Sequence, residues 1–535
     1  MNLFLYLTFY FLITLSITGH GLLFQTIFFK KDRANLGYCG LYGIFFLTIF
    51  SYFTNFFIAN NQISNLIILL LGIIFFIYFI FIKFKLFNNN LLIFFLIFLI
   101  LILFILTPKT HDDFQYYHFP YIHLLTVEPS SIGLGNFNHG FRTHSSIFYF
   151  SSLFFLPIIE YDIIHITPVF FLGFVNYIFL NKILKNIKDN NNFFIIFLSL
   201  LSFSFINIFF YRLAEHGTDR SSMILILLVI TELIQFINNE KSKNIIINRM
   251  LILIFLTISL KAFYLIYLIF IIPIIYYQKD KIKFLIKLFK NRLIYLSFVF
   301  LFFVLSTNFI NTGCIIYPLS QTCFSNLIWS IPIQDVQAMN EWYQLWSKGG
   351  ATPNFRVEDP KNYINNFNWL DNWVSIYFFN KISDFIIGIL FLTLIIFFLF
   401  KEKITYKVSK KNFLFIYLII FFLLIEWFIY HPALRYGGYH LIALIIFIPI
   451  SIFLSKKSLI NKNFIKKVIV IICLVTTIFI SRNIYRLSDE IKIYNYNFIE
   501  NPTYKEKFKN FDIYKTIIKA KKNGYDNKPC NKNEF

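Results

Sequence analysis

The chain has 535 residues, is 58% hydrophobic and only 14% charged, and carries a formal net charge of +22. That balance excludes a set of large soluble catalytic domains, because apolar runs recur along the chain that are each long enough to cross ~30 Å of hydrocarbon as a helix. Phe (75) and Tyr (33) are extreme, and Ile, Asn and Lys abound, which is the imprint of AT-rich coding. The positive balance therefore does not argue for a nucleic-acid partner, since the lysines fall in short connections where the positive-inside rule expects them.

In lipid every backbone polar group must be paired within its own segment, so these continuous runs predict helices rather than a barrel. The expected fold is all-α, a polytopic transmembrane bundle of about 12–14 helices. Apolar spans are predicted at 3–28, 38–58, 63–82, 91–107, 146–181, 193–211, 221–238, 249–276, 292–310, 373–399, 412–430, 437–454 and 466–482. The first segment, Asn2 to Phe29, lacks a basic start and a small-residue cleavage site, and reads as a permanent anchor. In chain order the parts are N-terminal helices (1–90), a core with a first large loop at 109–145 (91–310), a long loop (311–372), C-terminal helices (373–482) and a Lys/Asn-rich tail (483–535).

Basic connections occur at Lys30–Arg33, Lys83–Lys85, Lys182–Lys188, Glu240–Arg249, Lys279–Arg292, Lys401–Lys411 and Lys456–Lys467. The positive-inside rule puts all of them in the cytoplasm. This is consistent only if 249–276 is a pair of short helices breaking near Ser259-Leu260-Lys261-Ala262. The N-terminus, 109–145, 212–220, the Lys261 break, 311–372, 431–436 and the tail then face outward. Histidines collect there: His111, His118, His123, His139, His144, His216, His431 and His440. So do Asp112, Asp113, Arg142, Glu215, Asp219, Arg220 and Arg435, which predicts a polar site at that face. The helix interiors and the cytoplasmic segments read as bland.

The densest motif is Thr110-His111-Asp112-Asp113-Phe114-Gln115-Tyr116-Tyr117-His118-Phe119-Pro120, directly after an apolar helix. In a helical continuation Asp113 and Tyr117 share a face, as do Asp112 and Tyr116. Adjacent carboxylates at the edge of hydrocarbon favour taking up a proton, the property a general base needs. A helix cap with tyrosines in the interfacial belt is the structural alternative. Arg142 and His144 follow in a Gly- and Asn-rich turn and suit phosphate oxygens, Arg through its bidentate fork.

An acidic pair with Tyr opening the first outward loop resembles the GT-C superfamily of membrane glycosyltransferases, which includes protein mannosyltransferases, lipid A aminoarabinose transferases and oligosaccharyltransferases. Three later segments fit the resemblance: Arg212 to Arg220, Ser259-Leu260-Lys261, and His431-Pro432-Ala433-Leu434-Arg435-Tyr436. It implies a GT-C-like bundle in a bacterial cytoplasmic membrane, acting at the outer face on a polyprenyl-phosphate-linked sugar with a glycan, lipid or protein acceptor. It assigns Asp113, sharing with Asp112, as base. Arg435, Lys261 and Arg142 would hold the donor phosphate, and His111, Tyr117, His118, His144, His216 and Asp219 would line the acceptor or sugar. A transporter or flippase, and a polymerase or ligase relying on outward Arg and His, are the alternatives.

On the 311–372 loop, Cys314 and Cys323 are close enough in sequence to pair, and an outward face is oxidising, so a disulfide is expected. Trp342, Trp346, Trp369 and Trp373 read first as interfacial anchors, with stacking on sugar as the alternative. No metal is expected, although His111, Asp112, Asp113 and His118 leave a divalent cation open. No phosphate-cradling glycine loop or nucleotide fingerprint is present, which favours a lipid-linked donor.

Overall fold

The computed structural model describes residues 2–29, 35–83, 89–106, 113–212, 217–238, 243–352, 355–401, 413–456, 460–494, 497–500 and 502. Among these, nine helices are long and apolar enough to cross a membrane, and five more are apolar but shorter. In chain order they are α1 (Leu3–Phe28), α2 (Leu36–Asn55), α3 (Gln62–Phe81), α4 (Asn90–Ile105), α5 (Ile164–Lys188), α6 (Phe193–Phe209) and α7 (Gly217–Asn238). They continue with α8 (Asn244–Leu260), α9 (Ala262–Tyr276), α10 (Arg292–Thr312), α11 (Leu370–Phe400), α12 (Leu414–Tyr430), α13 (Gly438–Ser455) and α14 (Lys462–Ile493). No β-strand occurs among the described residues, only isolated bridges. The protein is an all-α, multi-pass membrane protein.

Contacts between helix termini sort the bundle into two ends. At one end Tyr6 of α1 donates to the Ile105 carbonyl closing α4, and Asn55 closing α2 donates to Leu125. There too Asn311 of α10 donates to Tyr121, and Arg482 of α14 to Ile208 of α6. At the other end Tyr276, closing α9, packs its ring 4.5 Å from that of Phe415, which opens α12, and Asn291 donates to Asn248. Every basic connection that lies among the described residues falls at this second end.

The expected break at Lys261 is present. Its backbone is extended (φ −163, ψ 136), and Ser145 Oγ donates to the Leu260 carbonyl left open by the end of α8, at 2.5 Å. α9 begins as 3-10 helix and runs from Phe263, packed on His431, to Tyr276 at the basic end. The stretch 249–276 is thus two antiparallel passes.

Three expectations change. The apolar stretch 146–181 is not one span: Ser146–Ser152 is a short helix, the chain then turns through Pro157 to Asp162, and the pass begins at Ile164. Hydropathy merged the two because the turn is itself flanked by Phe and Ile. His165 consequently sits at the first end, beside Tyr6. The 311–372 region is not simply loop, since Ile333–Lys348 and Pro360–Ile364 are helical. Finally, helix continues past 482 to Ile493, and the predicted tail from 503 onward lies outside the described residues.

The core is made by α1, α2, α5, α6, α7 and α8, while α3, α11, α12 and α14 present apolar side chains outward, among them Phe391, Phe398, Phe422 and Leu474. Lipid covers such faces at no desolvation penalty. The core is not bland at the basic end. Glu232 of α7 is fully buried, pairs with Lys182 of α5 at 2.5 Å, and accepts from the Tyr38 hydroxyl of α2. Arg249 of α8 lies 4.2 Å over the Tyr38 ring. One carboxylate thereby ties four helices.

Removing that carboxylate leaves the buried Lys182 uncompensated, a loss of roughly 3–5 kcal/mol for a broken buried pair. Glu232→Ala is expected to lower the thermal unfolding midpoint of the detergent-solubilised protein sharply. The double variant Lys182→Met/Glu232→Leu should recover much of the loss. Equal midpoints for Glu232→Ala and wild type would show that the pair carries no stability.

Candidate functional site

Four charged side chains from distant segments meet at the end away from the basic connections. Asp219 lies in the first turn of α7, where the helix N-terminus favours a carboxylate, and is buried. Lys261 Nζ donates to its Oδ1 at 2.5 Å, and Arg435 Nε to its Oδ2 at 3.1 Å. A terminal nitrogen of Arg435 reaches Asp113 Oδ2 at 3.6 Å. Asp113 and Arg435 are about a third exposed, whereas Asp219 is 2% exposed, so the cluster has a closed floor and an open mouth. Two carboxylates against two cations leave it neutral.

Local structure fixes each member. Pro432 follows the end of α12, and the turn carrying Arg435 is stapled from three sides. Trp373 donates to the Pro432 carbonyl, Trp427 to the Ala433 carbonyl, and the Leu434 amide to the Tyr377 hydroxyl, at 3.0, 2.8 and 2.8 Å. Gly437 then takes φ +114, which few side chains tolerate, and opens α13. Lys261 occupies the extended break between α8 and α9, and Tyr264 reaches back to donate to the Asp219 carbonyl at 3.3 Å.

Aromatic walls surround the cations. The Arg435 guanidinium stands 5.4 Å from the Trp346 ring and 5.8 Å from Tyr436, and Lys261 Nζ stands 5.0 Å from Tyr436. Burial opposes the charge on Arg435, but Asp219, Tyr436, Tyr117 and Asp113 together outweigh it, and its pKa rises above the usual arginine value. Tyr117 is pushed well above the ordinary phenol range, by burial first and then by the Asp113 charge. A Cβ on Gly140 would stand 2.3 Å from the Tyr117 ring, so glycine there lets the 138–143 turn close against it.

Of the residues expected at the site, Asp113, Asp219, Lys261 and Arg435 come together, with Tyr117 beside them. His111, Asp112 and His216 lie outside the described residues. Arg142 is not in contact with the cluster; its Nε donates to the Gly135 carbonyl at 2.8 Å. His118 packs its ring on Tyr117 and Phe148. His144 is buried among Tyr52, Tyr121 and Tyr149. Other histidines of this end pair with tyrosines: His123 with Tyr161, His139 with Tyr116 and His440 with Tyr267. Bracing of loops and helix ends therefore accounts for much of the one-sided histidine distribution.

Cys314 and Cys323 form the expected disulfide. The tryptophans are not interfacial as a group. Trp369 and Trp373 are buried within the protein, Trp346 stands over Arg435, and only Trp342 is exposed. Trp346 is the site residue that sequence reasoning placed elsewhere, since nothing local distinguishes it from Trp342. Tyr264 lies three residues after the Lys261 break, and its hydroxyl reaches the Asp219 carbonyl, a contact that no local signal in the sequence marks. Among the described residues no group of three or more His, Cys, Asp or Glu side chains converges as a metal site would require.

His144 supplies a pH test. Burial holds its pKa near 4 against 6.5 for an exposed histidine, so the unfolded chain takes up a proton first as pH falls. Stability is full above pH 6.5 and is lost between 6.5 and about 4, by up to roughly 3 kcal/mol for this group. Thermal melts in detergent across that window should fall less steeply for His144→Asn than for wild type. A residual slope is expected from His431, which burial, Lys348 and Lys261 also hold near 4. Parallel slopes would remove His144 from the acid response.

Residues 1–442 match a family described as a domain of unknown function, DUF8201, and the chain belongs to that family. No curated protein and no solved structure gives a significant match.

Proposed function

We propose that the chain is an inverting membrane glycosyltransferase of the GT-C kind. It takes a sugar from a polyprenyl-phosphate donor and passes it to a hydroxyl acceptor at the extracytoplasmic face of a bacterial cytoplasmic membrane. The observation that carries this reading is the meeting of Asp113, Asp219, Lys261 and Arg435 in one neutral, open-mouthed cluster. Its position opposite the basic connections supports the outward orientation through the positive-inside rule.

The chemistry asks for a base on the acceptor and cations on the leaving group. The 3.6 Å separation of Asp113 from Arg435 is an ion pair without a short hydrogen bond, so an entering phosphate can take the terminal N–H groups of Arg435. Asp113 then accepts the acceptor's hydroxyl proton. The acceptor oxygen bonds to the sugar C1 from one face as the C1–O bond to phosphate breaks on the other. The electron pair leaves with the polyprenyl phosphate, where Arg435 and Lys261 meet the charge. Asp219 is a positioning residue in this scheme: it occupies one donor of each cation and fixes their remaining donors before substrate arrives. No step requires a metal or another cofactor.

A lipid or glycan transporter is the second reading, favoured by the buried ions Lys182 and Glu232 at the other end. Asp219 and Glu232 lie ~20 Å apart along α7. Between them Met223 to Ile230 are apolar and buried, which offers no polar path along that helix.

The test compares glycans and glycolipids by mass spectrometry in cells carrying wild type, Asp113→Asn, Asp112→Asn or Arg435→Gln, at matched membrane levels of the protein. One sugar increment should vanish or fall by about 10²–10⁴-fold in the base variant. Arg435→Gln should lose the same increment, whose mass names the sugar class. If both aspartate variants match wild type while deletion alters the profile, the carboxylate mechanism is wrong. A transporter or an Arg/His-dependent ligase then takes its place.

A further inference from the structure

The helix Lys281–Phe289 belongs to neither the bundle nor the site. α9 reaches the basic end at Tyr276, and α10 leaves it at Arg292, so the intervening helix is held at the level where those passes exit. Asn291 donates to Asn248 at 2.6 Å, which braces it against α8, while Lys287 reaches Asn244 only across the exposed surface, at 3.3 Å.

Its surface divides into three sectors at 100° per residue. Leu288 is buried and Phe284 packs against the core. Ile282, Ile286 and Phe289, spaced i, i+4 and i+7, form an outward apolar stripe and are 73%, 53% and 59% exposed. Lys283, Lys287 and Lys290 share the next sector, and Lys281 lies on the other flank, 5.5 Å over the Tyr276 ring. Asp280 is the acid nearby, paired with Lys283 at 3.0 Å on the exposed surface. Lys279 and Arg292 flank the segment, so cations far outnumber that single acid.

A water-exposed helix has no use for the isoleucine–phenylalanine stripe, and a helix buried in protein has none for the lysines. An apolar stripe beside a lysine row, fixed between two passes, matches the boundary between acyl chains and headgroups. We propose that Lys281–Phe289 is an in-plane helix that binds anionic phospholipid in the leaflet at the basic end. Ile282, Ile286 and Phe289 enter the acyl region while Lys283, Lys287 and Lys290 engage lipid phosphates. The inference is independent of the transferase reading.

The full chain, with Cys473 and Cys530 replaced by Ser and Ile286→Cys carrying an environment-sensitive fluorophore, is reconstituted in vesicles. These are phosphatidylcholine alone, or phosphatidylcholine with phosphatidylglycerol. The label is expected to be quenched by brominated acyl chains and shielded from aqueous iodide. In native mass spectrometry the protein should retain phosphatidylglycerol over phosphatidylcholine, and K283Q/K287Q/K290Q should lose that enrichment. Full quenching of the label by iodide, with none by brominated acyl chains, overturns the in-plane placement. Equal phosphatidylglycerol retention by wild type and the triple variant overturns the anionic-lipid assignment. The three lysines are exposed, so the variant's thermal midpoint should match that of wild type and exclude misfolding as the cause.

Discussion

Asp219 is the constraint on which the candidate site depends. A buried carboxylate is tolerated only when its charge is met, and here both oxygens are met by cations from elsewhere in the chain. Lys261 can reach it only because the α8–α9 segment breaks, and Arg435 only because the 431–437 turn is stapled by Trp373, Trp427 and Tyr377. The helix ends of α7, α8 and α12 are thereby brought to one point. Breaking either ion pair would free a cation in a partly dry setting, so geometry and electrostatics hold each other in place.

The same device recurs at the opposite end of α7. Glu232 joins α2 and α5 as Asp219 joins the later helices, but the two clusters differ in access. Glu232 is sealed from solvent, whereas Asp219 forms the floor under two partly exposed partners. Sealing suits a tie between helices. An open mouth suits ligand exchange, because the cations can trade a carboxylate contact for a phosphate without first being desolvated.

Aromatic residues complete both roles. Tyrosine hydroxyls take up histidine nitrogens around the first end, and Trp346 and Tyr436 line the cations with π-faces in place of further carboxylates. A cation over a ring keeps its charge available to an incoming anion more readily than one neutralised by a second acid. In this chain the abundance of Phe and Tyr thus coexists with specific use of tyrosine.

The sequence by itself determined the membrane class, the all-α architecture, the break at Lys261 and the polar segments that converge. These properties are local: hydropathy sums along a run, a lysine inside an apolar stretch must exit it, and two nearby cysteines can pair. Only the tertiary structure decided which polar residues touch. Asp219 meets Arg435 across 216 positions, His144 is diverted among tyrosines, and Trp346 rather than Trp342 faces the cluster. The fold also divided 146–181 into a short helix and a pass, and revealed Glu232 as a buried tie. Such pairings depend on helix order and rotation, which packing of whole helix faces sets and which a residue's own neighbours in sequence do not encode.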